Sequence, residues 1–165
     1  MPGSFEFDVV VEVPKGSRNK YEFDPASGRV KLDRALYTSV RYPADYGFIP
    51  DSLGGDGDPT DALVLVDEPT FPGCLIRCRT VGMLRTKDQK GLDYKVVAIP
   101  TFDTARAWRE LSEVPAELLA EIEHFFTIYK DLDPDKFSNV KGWSGRKAAE
   151  VEIVRSQRRM PKTRG

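Results

Sequence analysis

FEFDVVVEV, residues Phe5–Val13, places Phe7, Val9, Val11 and Val13 on one side of an extended chain and Glu6, Asp8 and Glu12 on the other. Side chains alternate across a strand, so this period of two marks a strand with one buried face. Pro14 and Gly16 end it. The period returns in KYEFD (Lys20–Asp24), where Lys20 and Glu22 share one face and Tyr21 and Phe23 the other. The turn PASG, 25–28, leads into RVKL (Arg29–Leu32), and Ala62–Val66, Leu75–Leu84 and Tyr94–Ile99 supply further strands. After Pro100 the period lengthens: Leu118, Ile122, Phe125, Phe126 and Tyr129 recur at helical spacing behind Pro115, and Asp133-Pro134 closes that helix. A second helix is expected from about Ser144 to Arg158. Strands first and helices later predict the α+β class, a small closed antiparallel sheet flanked by two C-terminal helices. A partly open five-stranded barrel fits the strand count.

The chain has 165 residues, which predicts one domain over 1–165, with 1–4 and about 159–165 as flexible ends. A 40% hydrophobic and 31% charged composition is that of a globular protein rather than a disordered one. The formal net charge of -1 offers no global attraction to nucleic acid or to an anionic membrane. MPGSFEFDVV has no basic n-region or apolar core of signal-peptide length, and Ala62–Val66 is far too short to span a bilayer. With His124 as the one histidine, Cys74 and Cys78 read as reduced residues packed in a strand rather than zinc ligands. The terminal RSQRRMPKTRG carries five basic residues and no acid, and reads as a frayed, solvated tail. These features predict a soluble cytoplasmic protein.

The chemistry concentrates in GGDGDPTD (Gly54–Asp61), where Asp56, Asp58 and Asp61 fall within six residues. Oxygen donors without thiolate or imidazole suit a hard cation: Mg²⁺, Mn²⁺ or Ca²⁺. The loop is not an EF-hand, because Pro59 interrupts it and Asp61 stands where the glycine belongs. An Asp-Gly loop that merely caps a turn is the competing reading. Asp88 and Asp93 flank a second Gly-containing turn, and Lys95 shares the face of Asp93 if a strand begins there. A carboxylate beside an ammonium suits a site holding metal and phosphate oxygen together; a surface ion pair looks the same. Glu12, Lys20 and Glu22 line the polar faces of the first two strands. Tyr42 and Tyr46 in RYPADYGFIP, Arg34 in LDRAL, and Tyr129-Lys130 in FTIYKDL complete the candidates, with Tyr129 on the helix's apolar stripe. A single-strand nucleic-acid module and a non-catalytic Ca²⁺ module stay open here. Against the first stand the aspartate-rich loops; the second leaves Lys20, Lys95 and Arg34 without work near the acidic loop.

Taken together, DGDPTD, KYE, YPADYGFIP, the Asp88/Asp93/Lys95 set and HFFTIYKDL resemble the soluble, metal-dependent, barrel-containing inorganic pyrophosphatases of compact bacterial type, from about Phe5 to about Arg158. One departure is Thr60, where the signature normally has an aliphatic residue. The resemblance implies a closed five-stranded, OB-like barrel. It implies hydrolysis of pyrophosphate to two orthophosphates by a metal-activated water without a covalent intermediate, usually in a homohexamer. Mg²⁺ would be the cofactor, several ions per site, with Mn²⁺ a substitute and Ca²⁺ inhibitory. Carried onto this chain, Asp56, Asp61 and Asp93 hold the activating metals, Asp61 as bridge, and Asp58 is the general base. Asp88 and Asp93 hold a further, substrate-associated ion, and Glu12 reaches a substrate-borne one. Glu22 orients Lys20 or a water, and Tyr42 has a supporting place. Lys20, Arg34, Lys95 and Lys130 offset phosphate charge, with Tyr46 and Tyr129 donating hydrogen bonds; Tyr129 and Lys130 also count as catalytic. No Walker-type glycine loop occurs, so side chains must hold the phosphate.

Overall fold

The alternation of the opening stretch becomes strand β1 (Phe7–Val13), with Phe7, Val9, Val11 and Val13 buried and the residues between them half-buried. The structure, a computed structural model, describes residues 4–161. The ends expected to be flexible thus lie largely outside the described residues. Within them, the Arg159 guanidinium donates to the Leu53 carbonyl at 3.0 Å and to Glu152 at 2.8 Å.

β1 pairs along both edges, antiparallel to β4 (Asp45–Phe48) and to β6 (Leu75–Asp88). β4 pairs with β5 (Asp61–Val64), β5 with β7 (Gly91–Pro100), and β7 with β6, which closes a ring of five strands. Closure leaves the ring without a free edge. One pairing departs from the all-antiparallel expectation: β5 and β7 run parallel, with Asp61 opposite Lys95. β6 runs back between them in sequence, so β7 enters alongside β5 in the same direction. Both faces of this pair are buried. Leu63 and Val97 join the cluster under the first helix, whereas Ala62, Val64, Val96 and Ala98 join the one that receives the second. That is why these strands read as unbroken apolar runs rather than alternating ones.

Two elements escaped the sequence reading. β4 lies between Pro43 and Pro50 and is held wholly by its neighbours. Its Gly47 is required by close approach, since a Cβ there would meet the Val10 carbonyl oxygen at 1.9 Å. β8 (Ser138–Gly145) adds to the far half of β6 despite its serine and glycine content. Packing against a partner overrides weak strand propensity. β8 also takes Ser144 and Gly145, so helix α2 is Arg146–Arg158 rather than starting at Ser144. Helix α1 is Ala116–Ile128 and buries Ile122, Phe125 and Phe126 as its stripe required. It stops short of Asp133. The N–H groups of Asp131 and Asp133 bond to the carbonyls of Ile128 and Lys130, three residues back, a tighter turn than the α-helix.

Strands β2 (Asn19–Asp24) and β3 (Arg29–Ala35) pair only with each other. Arg34 therefore lies within a strand rather than after one. A bulge between Lys20 and Tyr21 shifts the register, and Phe23 stays 36% exposed against Phe48 instead of entering a core. Cys74 and Cys78 are free, and burial pushes the Cys78 thiol up to about 12, as an inert packed residue requires. Among the described residues no helix is long and apolar enough to cross a membrane.

Candidate active site

The β2–β3 hairpin, the acidic loop before β5, the β6–β7 turn and the end of α1 surround a cleft of about 600 Å³. Every polar residue expected at the site except Tyr42 lines it. Tyr42 is 1% exposed and packs beneath the cleft, its ring 5.4 Å from that of Tyr46 and 4.6 Å from that of Phe125. Eight carboxylates and six cationic side chains line the cleft, so its wall is net negative.

Lys95 lies at its base. Strand alternation puts Asp93 and Lys95 on one face of β7, and the parallel register sets Asp61 of β5 beside Lys95. The ammonium donates to Asp93 Oδ2 at 2.6 Å, Asp61 Oδ2 at 2.9 Å and the Tyr46 hydroxyl at 2.7 Å, using all three donors. It also lies 5.1 Å from the centre of the Phe126 ring and 5.2 Å from that of Tyr46, within cation–π reach. Burial alone would lower the Lys95 pKa, but the Asp61 and Asp93 carboxylates hold it well above the ordinary lysine value. Asp93 is the strained member. Burial, opposed by Lys95 and reinforced by Asp61, pushes its carboxyl up to about 7.

Around this base each acidic group has a cation or an amide. Lys130, carried past the end of α1, donates to Asp88 Oδ2 at 3.2 Å. Burial would raise the Asp88 pKa, yet the Lys90 amide and Lys130 hold it below the ordinary carboxylate value. Burial lowers that of Lys130. Lys90 donates to Asp58 Oδ2 at 2.9 Å, while Asp56 accepts the Asp58 amide at 3.0 Å and has its pKa raised by burial. Glu12 accepts the Phe23 amide at 2.7 Å and is also raised by burial. Lys20 pairs with Glu22, and lies 3.4 Å from Asp33. Among the described residues no three acidic, histidine or cysteine side chains converge as a ready-made cation cage. Lysines hold the carboxylates instead: Lys95 for Asp61 and Asp93, Lys130 for Asp88, Lys90 for Asp58.

Several participants were not anticipated. Asp33, Lys90 and Lys136 line the cleft, with Tyr21, Phe23 and Phe48 as an apolar rim. Only the two apolar residues of KYEF carried a signal, and it read as a core face.

Residues 9–161 match the family model described as inorganic pyrophosphatase. The inorganic pyrophosphatase of Streptomyces coelicolor is 54% identical over 155 residues, which are 93% of this chain and 95% of that one. That of Methanosarcina acetivorans is 51% identical over 148 residues, covering 89% and 87% of the two chains. The crystal structure of the Thermus thermophilus inorganic pyrophosphatase superposes with a TM-score of 0.91 at 42% identity, covering 96% of this chain and 93% of that one. The chain belongs to the inorganic pyrophosphatase family. Its members are enzymes that hydrolyse pyrophosphate, and the closed barrel with two helices is their architecture. Within the pyrophosphatase signature, Thr60 is 4% exposed. Its amide donates to Ser52 Oγ at 3.1 Å, whereas its hydroxyl finds no partner among the described residues. An unsatisfied buried hydroxyl is destabilising. Thr60→Val is therefore expected to raise the unfolding free energy by about 1 kcal/mol with unchanged turnover. Urea titration would show it; a loss of stability would mean the hydroxyl is satisfied.

Proposed function

We propose that pyrophosphate hydrolysis in this cleft depends on Mg²⁺, which Asp56, Asp61, Asp88, Asp93 and Glu12 would hold, with Asp58 as general base. The observation that carries this reading is the charge of the wall. Eight carboxylates against six cations would repel a compact polyanion, so added cations must accompany it. The donor set fits: every candidate ligand is a carboxylate, as a hard divalent ion prefers. When bound, the ions offset substrate charge and make the attacking water more acidic. Asp58, exposed at the mouth of the acidic loop, can take that water's proton on its free carboxylate edge. Lys20, Arg34 and Lys130 face the phosphate oxygens, Lys95 adds its charge from the base of the cleft, and Tyr46 and Tyr129, whose pKa values burial raises, donate hydrogen bonds. Glu22 keeps the Lys20 ammonium in place. Direct attack by water, without a covalent intermediate, belongs to the same reading, with Asp58 as the base rather than a nucleophile.

Phosphate release from pyrophosphate, with Mg²⁺ titrated in and stripped by EDTA, tests the reading. Release that follows the metal reversibly is expected; release that persists in EDTA, or is absent with both Mg²⁺ and Mn²⁺, overturns it. Ca²⁺ is expected to bind and inhibit. A pH dependence follows from Asp93. Its folded-state value near 7 stands above the ordinary 3.8, so the metal-free native protein keeps a proton that the unfolded chain has lost. Stability of the metal-free form therefore falls as pH rises from about 4 to about 7. Metal binding must expel that proton, so apparent Mg²⁺ affinity rises with pH up to about 7 and flattens above it. Thermal shift against Mg²⁺ across this range would check both; an affinity independent of pH contradicts them.

The same reading includes a cytoplasmic homo-oligomer, a hexamer by family resemblance. Phe71, Leu75 and Phe102, exposed at 63%, 61% and 80%, support it as apolar surface available for subunit contact.

A further inference from the structure

Arg34 stands on a hairpin that pairs with no strand of the barrel. Leu36, just past its end, is buried in the core and the Phe23 amide bonds Glu12, but the Arg34 side chain itself is held by ion pairs. Arg34 Nη2 donates to Asp133 Oδ2 at 2.5 Å and Nη1 to Asp33 Oδ2 at 2.7 Å. The Asp133 side chain is 2% exposed and that of Arg34 is 17% exposed. Asp133 belongs to the turn after α1, where its amide bonds the Lys130 carbonyl at 2.9 Å. That turn also delivers Tyr129 and Lys130 to the cleft. The pair thus joins the two walls that supply most of the phosphate-facing groups.

Charge alone does not explain Asp133. Arg34 already has Asp33, and a second carboxylate weakens the positive field that a phosphate would feel. Asp133 Oδ1 and Arg34 Nε are moreover buried without partners among the described residues, an arrangement poor for stability. What the contact does supply is direction. With Nη2 on Asp133, Nη1 on Asp33 and Nε buried, one N–H of each terminal nitrogen remains for the cleft that Arg34 lines.

We propose that Asp133 is a positioning residue for pyrophosphate hydrolysis, aiming Arg34 at the leaving phosphate and locking the β2–β3 hairpin against the end of α1. This rests on the reading of Arg34 as a phosphate ligand. The test is a kinetic cycle on the Mg²⁺-loaded enzyme with pyrophosphate, using Asp133→Asn, Asp133→Glu, Arg34→Gln and the Asp133→Asn/Arg34→Gln pair. Asp133→Asn should lower kcat by about tenfold to a hundredfold, because misaim is felt in the transition state. KM should not rise, since one repelling charge is gone. Asp133→Glu, which retains the pair, should restore at least half of wild-type kcat. In the Arg34→Gln background Asp133→Asn should have no further effect. A structural role would give a lowered Tm with kcat per folded molecule unchanged, or an equal loss in both backgrounds; either overturns the proposal. If Asp133→Asn does not fold, the double variant, in which neither charge is stranded, is compared with Arg34→Gln alone. Equal kcat supports the proposal and a further drop overturns it. Wild-type kinetics in Arg34→Gln would separately remove the reading of Arg34.

Discussion

Asp58→Asn is expected to lower kcat for pyrophosphate by about 10²–10⁴-fold, the usual range for a lost general base. The amide keeps the shape of the carboxylate and can still accept from Lys90, which now donates at 2.9 Å, but it cannot take a proton from water. Folding should be indifferent to the change. The Asp58 side chain is 54% exposed in a loop, and substitutions at such places usually alter stability by about 0.5 kcal/mol or less. Stabilisation by Mg²⁺ should also stay close to that of the unaltered protein, because Asp56, Asp61 and Asp93 are untouched. Turnover and Mg²⁺-dependent thermal shift, measured side by side, give the answer. Wild-type turnover at saturating Mg²⁺ would sink the assignment. A parallel loss of turnover and metal stabilisation would make Asp58 a ligand instead.

Lys95→Met should have the largest effect on the metal-free protein. Lys95 is 1% exposed and is the shared counter-charge of Asp61 and Asp93. Without it two carboxylates face each other in a buried site. Breaking a buried pair from one side destabilises by about 3–5 kcal/mol, moderated where one carboxyl takes up a proton. Divalent metal supplies the missing charge, so the rise in Tm on adding Mg²⁺ should be larger in Lys95→Met than in the wild type. Turnover should nonetheless fall by about 10²–10³-fold, the scale of losing one preorganised charge stabiliser. Denaturant unfolding with and without Mg²⁺, together with phosphate release, checks the whole pattern. Unchanged stability of the metal-free form would mean that Asp93 is already neutral and that the Lys95 pairing carries little energy.

The site was legible where neighbouring residues in the chain make it. Asp56, Asp58 and Asp61 lie on one loop and line one cleft; Asp93 and Lys95, two apart on a strand, touch as alternation demands. Tyr129 read as core packing on the helix stripe and Lys130 as emerging at its edge; both line the cleft. What was not legible is which charge holds which. Lys130 meets Asp88 across 42 residues, and Arg34 meets Asp133 across 99. Asp133 read only as the end of a helix, because its partner lies on a hairpin that nothing nearby in sequence attaches to it. Tyr21 and Phe23 read as a core face and became the rim of a cleft, since β2 has no second sheet to bury them.

The same division runs through the fold. Periodicity is a property of adjacent residues, so the sequence by itself determined that Phe5–Val13 holds a half-buried strand, that a helix with an apolar stripe follows Pro115, and that oxygen donors cluster in Gly54–Asp61. Closure is a property of the whole ring. Only the tertiary structure made strands of Asp45–Phe48 and Ser138–Gly145, set β5 parallel to β7, and brought Asp61 beside Lys95. Those elements exist because unpaired backbone groups and apolar faces elsewhere in the barrel need them, and no local preference of their own residues demands it.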